Sequence, residues 1–189
     1  MNEGPWIETF SGREFYIRNP EFHLEDIAHG LSNLCRFNGQ SAKFYSVAEH
    51  SSSVAELILD LGGSEKDAFE GLMHDAVEAY LSDIPSPFKG LLPDWKELED
   101  HCESVLRKDF GLPPEKSDLC HEADMILLFC EARCLLPYKG KNFEKYKEYK
   151  SRVDKWGKAY APMCLPPSLA KTSFLSTFRR LEGSFECLD

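Results

Sequence analysis

From Leu24 onward, apolar residues recur every three or four positions, and such a pattern buries a continuous face only when the chain is coiled as an α-helix. Leu24, Ile27, Ala28, Leu31, Leu34 and Cys35 make the first run. The second opens at Ser46-Val47-Ala48-Glu49, a capping-box pattern in which Ser and Glu satisfy each other's free backbone donors, and Gly62-Gly63 stops it. Ser64 can cap a third helix carrying Ala68, Phe69, Leu72, Met73, Ala76 and Val77. Asp83-Ile84-Pro85-Ser86-Pro87 breaks that helix, because proline lacks the amide donor and clashes with the preceding turn. Further helices are predicted over 94–110 with Asp94 as cap, over 114–136, over 142–159 and over 167–181. Only the first twenty residues read differently. There, β-rich runs on either side of Ser11-Gly12-Arg13 predict a small hairpin. The expected architecture is an all-α bundle over 21–189 with an N-terminal β-hairpin over 1–20.

A chain of 189 residues is long enough for one self-sufficient core, burying roughly 70% of the surface its unfolded form exposes. Its 32 acidic and 22 basic residues give a net charge of −10. That balance argues against a nucleic-acid polymer or an anionic membrane as partner, and leaves room for a small anion met by a few local cations. No apolar run approaches the ~18–20 residues of a membrane span. Residues 1–10 include Asn2, Glu3 and Glu8 and show no signal core, so a cytoplasmic protein is expected. Seven cysteines, at 35, 102, 120, 130, 134, 164 and 187, contain no CxxC pair and read as reduced, mostly buried small hydrophobes.

Four segments interrupt the apolar pattern with chemistry. His50 lies one turn into the second helix, His74-Asp75 and Glu78 lie inside the third, Asp83 precedes the proline loop that leads to Lys89, and Asp124 lies in an apolar stretch of the long helix. On a helix, His74 and Glu78 share a face and Asp75 sits about 100° round. A half-buried carboxylate beside Leu72, Met73 and Ala76 needs a cation or several donors. One divalent transition metal (Zn, Mn, Co, Ni or Fe) held by two imidazoles and two carboxylates meets that need, with positions left for water and substrate. Taken singly, each of these residues has an ordinary structural reading, since a lone histidine is more often simply hydrogen-bonded.

Their order on successive helices, His50, His74-Asp75, Asp124, resembles the HD-domain metal-dependent phosphohydrolases. The resemblance is to the branch of bacterial 5′-deoxynucleotidases and viral dATP triphosphohydrolases, through Leu34-Cys35-Arg36-Phe37, Ser46-Val47-Ala48-Glu49-His50-Ser51, the word His74 to Lys89, and Ala123-Asp124. The resemblance implies that His50, His74, Asp75 and Asp124 bind the metal, and that Glu78 is the catalytic carboxylate with Asp83 a second acid nearby. It also implies that Arg36 and Lys89 bind phosphate. Phe37 stands where the bacterial enzymes carry a Trp that lies against the sugar, which leaves deoxyribose selection open, and Gly39 removes bulk where a larger side chain would touch the base, which leaves base preference open. The implied substrate is a small-molecule nucleotide, attacked by water at its α-phosphorus, and the implied assembly is a homo-oligomer. Monophosphate and triphosphate substrates remain alternatives, with Lys43, Lys89 and Arg133 as candidate cations for a longer phosphate chain. Other readings are a non-catalytic nucleotide-binding HD module, an iron-dependent HD oxygenase, and a phosphodiesterase in which His101 or His121 helps to hold a second metal. The basic and aromatic residues of 142–159 alternate with Glu144, Glu148 and Asp154, as on a solvated amphipathic helix.

Overall fold

The computed structural model describes residues 4–183. Cys187 lies outside the described residues, as do residues 1–3 at the chain start.

The chain begins with an antiparallel hairpin of β1 (Trp6–Glu8) and β2 (Glu14–Tyr16). Two short strands are marginal alone, and side chains from both ends of the hairpin tie it down. Phe15 is buried and stacks on Tyr80, with ring centroids 4.2 Å apart. At the turn, the Asp26 carboxylate accepts from the Ser11 amide (2.8 Å), the Ser11 hydroxyl (2.7 Å) and the Thr9 hydroxyl (3.0 Å).

Helices follow: α1 (Leu24–Asn33), α2 (Val47–Asp60), α3 (Glu65–Met73), α4 (Glu78–Leu81), α5 (Ser86–Lys89), α6 (Pro93–Asp109), α7 (Asp118–Leu135), α8 (Tyr146–Trp156) and α9 (Pro167–Glu182). The fold is therefore mostly helical with a small two-stranded hairpin, as the apolar period predicts. α2 is the hub and packs against α1, α3, α7 and α9. Val47, Ala48, Val54, Ala55, Leu57 and Ile58 give it an apolar face with no exposed surface. α1 crosses α4 closely enough that a Cβ on Gly30 would lie 2.7 Å from the Ala79 carbonyl oxygen, so only glycine fits at the crossing. α8 packs on α7, where Phe129 meets Phe143, Tyr146 and Tyr149. The charged face of α8 stays exposed, as its alternating charges suggested.

Several boundaries differ from the sequence reading. The first helix ends at Asn33, because the chain from Cys35 turns into an antiparallel bridge with Ser46. At α2, Ser46 accepts from the Glu49 amide (3.1 Å), but the return half of the capping box is absent. The Glu49 carboxylate instead accepts from the amides of Met163 (2.7 Å), Cys164 (3.1 Å) and Leu165 (2.7 Å) and binds a distant segment. A complete box forms at α3, between Ser64 and Asp67. α6 starts on Pro93, whose missing amide costs nothing in a first turn, so Asp94 is inside the helix rather than its cap. α7 starts only at Asp118, capped by Ser117.

The third predicted helix is broken. α3 ends at Met73, and residues 74–77 form tighter turns with amide bonds reaching back three residues, from Ala76 to Met73 and from Glu78 to Asp75 (both 3.0 Å). Among the described residues no helix is long and apolar enough to cross a membrane. Six cysteines are free there, and Cys134 is exposed rather than buried.

Candidate metal centre

The turn after α3 explains how His74 is aimed. Its Nδ1 lies 2.7 Å from the Gly71 carbonyl oxygen. A carbonyl only accepts, so Nδ1 carries the proton and Nε2 is left with its lone pair. That Nε2 is buried and has no hydrogen-bond partner, and the same holds for Nε2 of His50 on α2. The two rings are tilted 59° to one another with centroids 5.3 Å apart. Asp124, on the second turn of α7, places Oδ1 3.3 Å from His50 Nε2 and 4.0 Å from His74 Nε2. One ligand atom from each of His50, His74 and Asp124 lies within 4.8 Å of the other two. Asp75 flanks this trio, with Oδ2 3.0 Å from His74 Nε2 and 3.8 Å from His50 Nε2.

Two orphaned imidazole nitrogens facing carboxylate oxygens suit a divalent metal of the mixed nitrogen and oxygen type. The electrostatics agree. Burial and Arg36 oppose a positive charge on His50, yet Glu131 and Asp124 outweigh them and raise its pKa to about 9. Burial would likewise raise the Asp124 carboxyl, but the His50 imidazole close by and the charges of His74 and Lys116 hold it well below the usual range. The pocket therefore favours a cation among these groups.

The remaining predicted residues surround this centre. Arg36 is buried and puts Nη1 3.6 Å from Asp75 Oδ2. It is delivered by the bridge at the start of α2, where the Arg36 amide donates to the Tyr45 carbonyl (2.9 Å). Phe37, Asn38 and Gly39 then follow in the left-handed region, with φ of 56°, 51° and 71°. Such a run costs backbone energy at Phe37, and it leaves the Phe37 ring 5.8 Å from the Arg36 guanidinium carbon. Glu78 is buried at the start of α4, its Oε2 unpartnered. Burial first, then the charges of Asp75 and Asp83, push its carboxyl well above the usual range. Burial also raises the Asp83 carboxyl, with Asp75 adding to it against Arg36. Lys89, at the end of α5, is held by Glu99 (2.7 Å) and approaches Glu78 (3.8 Å).

Other expected cations are elsewhere. Arg133 pairs with Asp154 of α8 (3.7 Å), and Lys43 is exposed. His101 and His121 are both exposed, and neither joins a potential metal group among the described residues.

Two residues at the site escape the sequence reading. Lys116, in the segment before α7, brings Nζ to 3.2 Å from Asp124 Oδ2. Its position follows from a buried network in which Glu70 Oε1 accepts from Arg107 Nη2 (2.6 Å) and from the Ser117 amide (3.0 Å). Glu131, with no exposed surface, lies on α7 two turns beyond Asp124. Its Oε1 is 2.6 Å from His50 Nδ1 and 3.0 Å from the Tyr45 hydroxyl, and its Oε2 is 3.1 Å from Arg36 Nε. An acid in the otherwise apolar run from Ile126 to Ala132 is the signal that could have pointed to it.

The chain matches no protein-family model. It is 46% identical over 133 residues to "Uncharacterized protein YfdR" of Escherichia coli strain K12, covering 69% of this chain and 72% of that one. It is 38% identical over 116 residues to "Uncharacterized protein RCAP_rcc00048" of Rhodobacter capsulatus, covering 57% of this chain and 59% of that one. An identity of this size over most of both chains places the protein in the same family as YfdR.

Proposed function

We propose that the protein is a metal-dependent phosphohydrolase of the HD-domain type, acting on deoxynucleotides. The observation that carries this reading is the pair of buried, unpartnered imidazole nitrogens of His50 and His74, set between the carboxylates of Asp75 and Asp124 with Arg36 alongside. His50, His74, Asp75 and Asp124 would hold the metal. A divalent metal bound there supplies Lewis acidity toward a phosphoryl oxygen and a water of lowered pKa.

The chain's own groups do the rest. Arg36 and Lys116 bring positive charge to either side of the carboxylates, where a nucleotide phosphate needs it. Lys89 approaches Glu78 and brings a third positive charge to that edge. Glu78, whose carboxyl is pushed well above the usual range by burial and by neighbouring acids, is suited to give a proton to the departing oxygen. Asp83 lies on the same side and raises the proton affinity of Glu78 through its charge. Phe37 offers an apolar wall beside Arg36 for the sugar. The exposed positions of His101 and His121 favour one metal over two. The wider proposal is a cytoplasmic homo-oligomer whose partner is a nucleotide rather than a nucleic-acid polymer or a membrane.

The test is a product assay over deoxynucleoside monophosphates and triphosphates with Mn, Co, Zn and Mg. Release of inorganic phosphate marks a nucleotidase, and release of triphosphate marks a triphosphohydrolase. His74→Ala should lose both the bound metal, by elemental analysis, and the product. Turnover that survives this change would place the chemistry elsewhere.

A further inference from the structure

We infer that Glu131 is a positioning residue that sets two parts of the site together, the metal-facing nitrogen of His50 and the guanidinium of Arg36. The inference rests on the metal-centre reading above and adds a means by which metal and anion binding are joined.

Glu131 has no exposed surface and sits between Cys130 and Ala132, which are also fully buried. An apolar side chain would be cheaper in that place unless the carboxylate had work to do. Its partners show what the work is. All three donors are side chains from residues 36–50, and two of them belong to the site. A deprotonated carboxylate can only accept, so the 2.6 Å contact fixes the proton of His50 on Nδ1. Nε2, where a metal would take the place of a proton, is then turned toward His74 and Asp124. This is the arrangement that orients a histidine ligand and raises its basicity.

The second oxygen acts on a different group. Oε2 accepts from Arg36 Nε at 3.1 Å, which takes up the inner edge of the guanidinium. The outer edge is left to the site, where Nη1 lies 3.6 Å from Asp75 Oδ2. One rigid acid thus fixes both groups, and the tyrosine hydroxyl of Tyr45 pins Oε1 from a third direction (3.0 Å).

The two oxygens can be separated chemically. In Glu131→Gln the amide oxygen replaces Oε1 toward His50 and Tyr45, where two donors call for an acceptor. The amide NH2 then faces Arg36 Nε, donor against donor, and Arg36 is released. Glu131→Ala removes both supports. The experiment titrates Co(II) into the apoprotein, following its visible d–d bands, and then titrates inorganic phosphate into the Co(II)-loaded protein by calorimetry. Circular dichroism confirms that each variant is folded.

Glu131→Gln should keep Co(II) affinity within about threefold and weaken phosphate binding by about tenfold or more. Glu131→Ala should weaken Co(II) binding by roughly 10–100-fold and phosphate binding with it. If Glu131→Ala does not fold, the split in Glu131→Gln alone decides. Equal losses of Co(II) and phosphate affinity in Glu131→Gln would reduce Glu131 to a structural acid and overturn the inference. So would folded variants that bind both probes as the wild type does, with the metal centre itself left standing. A wild-type protein that takes up no Co(II) would overturn the metal centre and the inference together.

Discussion

Glu78 carries the clearest consequence of its surroundings. Its carboxyl is buried, one oxygen has no partner, and Asp75 and Asp83 disfavour its ionisation. It is not among the atoms that group as metal ligands. Glu78→Gln should therefore leave metal content unchanged and lower phosphate release by about 10²–10⁴-fold, the usual worth of a positioned proton donor. Elemental analysis and a phosphate assay on one preparation check both halves, and loss of metal would make Glu78 a ligand instead. At this scale the sequence was most legible where a charge breaks an apolar face. His50, His74, Asp75 and Asp124 each do so, and the fold brings them together. Lys116 was hidden because it precedes a helix that starts four residues later than its periodicity suggests. Glu131 stood in plain view as an acid among apolar residues, but its partners lie 81 to 95 positions away. No local spacing records such a pairing.

The elements themselves were read well in their interiors and less well at their ends. Apolar periodicity comes from packing, which acts along a whole helix, whereas a boundary is decided by a few competing hydrogen bonds. Glu49 shows this: its sequence fits a capping box, yet three amides from 163–165 outbid the local one. The break after Met73 has the same origin, since His74 gives its ring proton to the Gly71 carbonyl. Asp26, which holds the hairpin turn against α1, offers a test at this scale. Burial pushes its carboxyl up, but hydrogen bonds from Ser11 and Thr9 more than reverse this and leave it below its usual value. The native state then binds that proton less readily than the unfolded chain. The stabilisation is present above the unfolded value of about 3.9 and is lost as pH falls through the lower native value. Asp26→Asn should cost about 1–3 kcal/mol at pH 7. The gap between variant and wild type should close as the pH falls below about 4. Urea melts at a series of pH values measure both.

For the molecule as a whole, the proposed ligands come from α2, from the turn after α3 and from α7, so a bound metal would add a further tie between segments already joined by packing and by the contact of His50 with Glu131. A ligand that binds only the native state stabilises it by about 2.7 kcal/mol at a hundredfold excess over its dissociation constant. Adding Mn or Co to metal-free protein should therefore raise the melting temperature by several degrees, and a chelator should reverse the rise. In His74→Ala the melting temperature should no longer respond to metal. The net charge of −10 is partly accounted for here, since Asp75, Glu78, Asp83, Asp124 and Glu131 all lie at or beside the centre. Arg36, Lys89 and Lys116 give the same region its own local cations.

The long reach from His50 to Glu131 also bears on how the molecule is made. While the chain is being synthesised, His50, His74 and Asp75 leave the ribosome well before Asp124 and Glu131. A half-made chain holds His50, His74 and Asp75 but lacks α7, which carries Asp124 and the Glu131 that orients His50. Tight capture of a metal at the proposed centre would have to wait until α7 has emerged and docked on α2. On the proposed reading, metal uptake would be tied to completion of the core, and a truncated product ending before Asp124 would bind metal poorly.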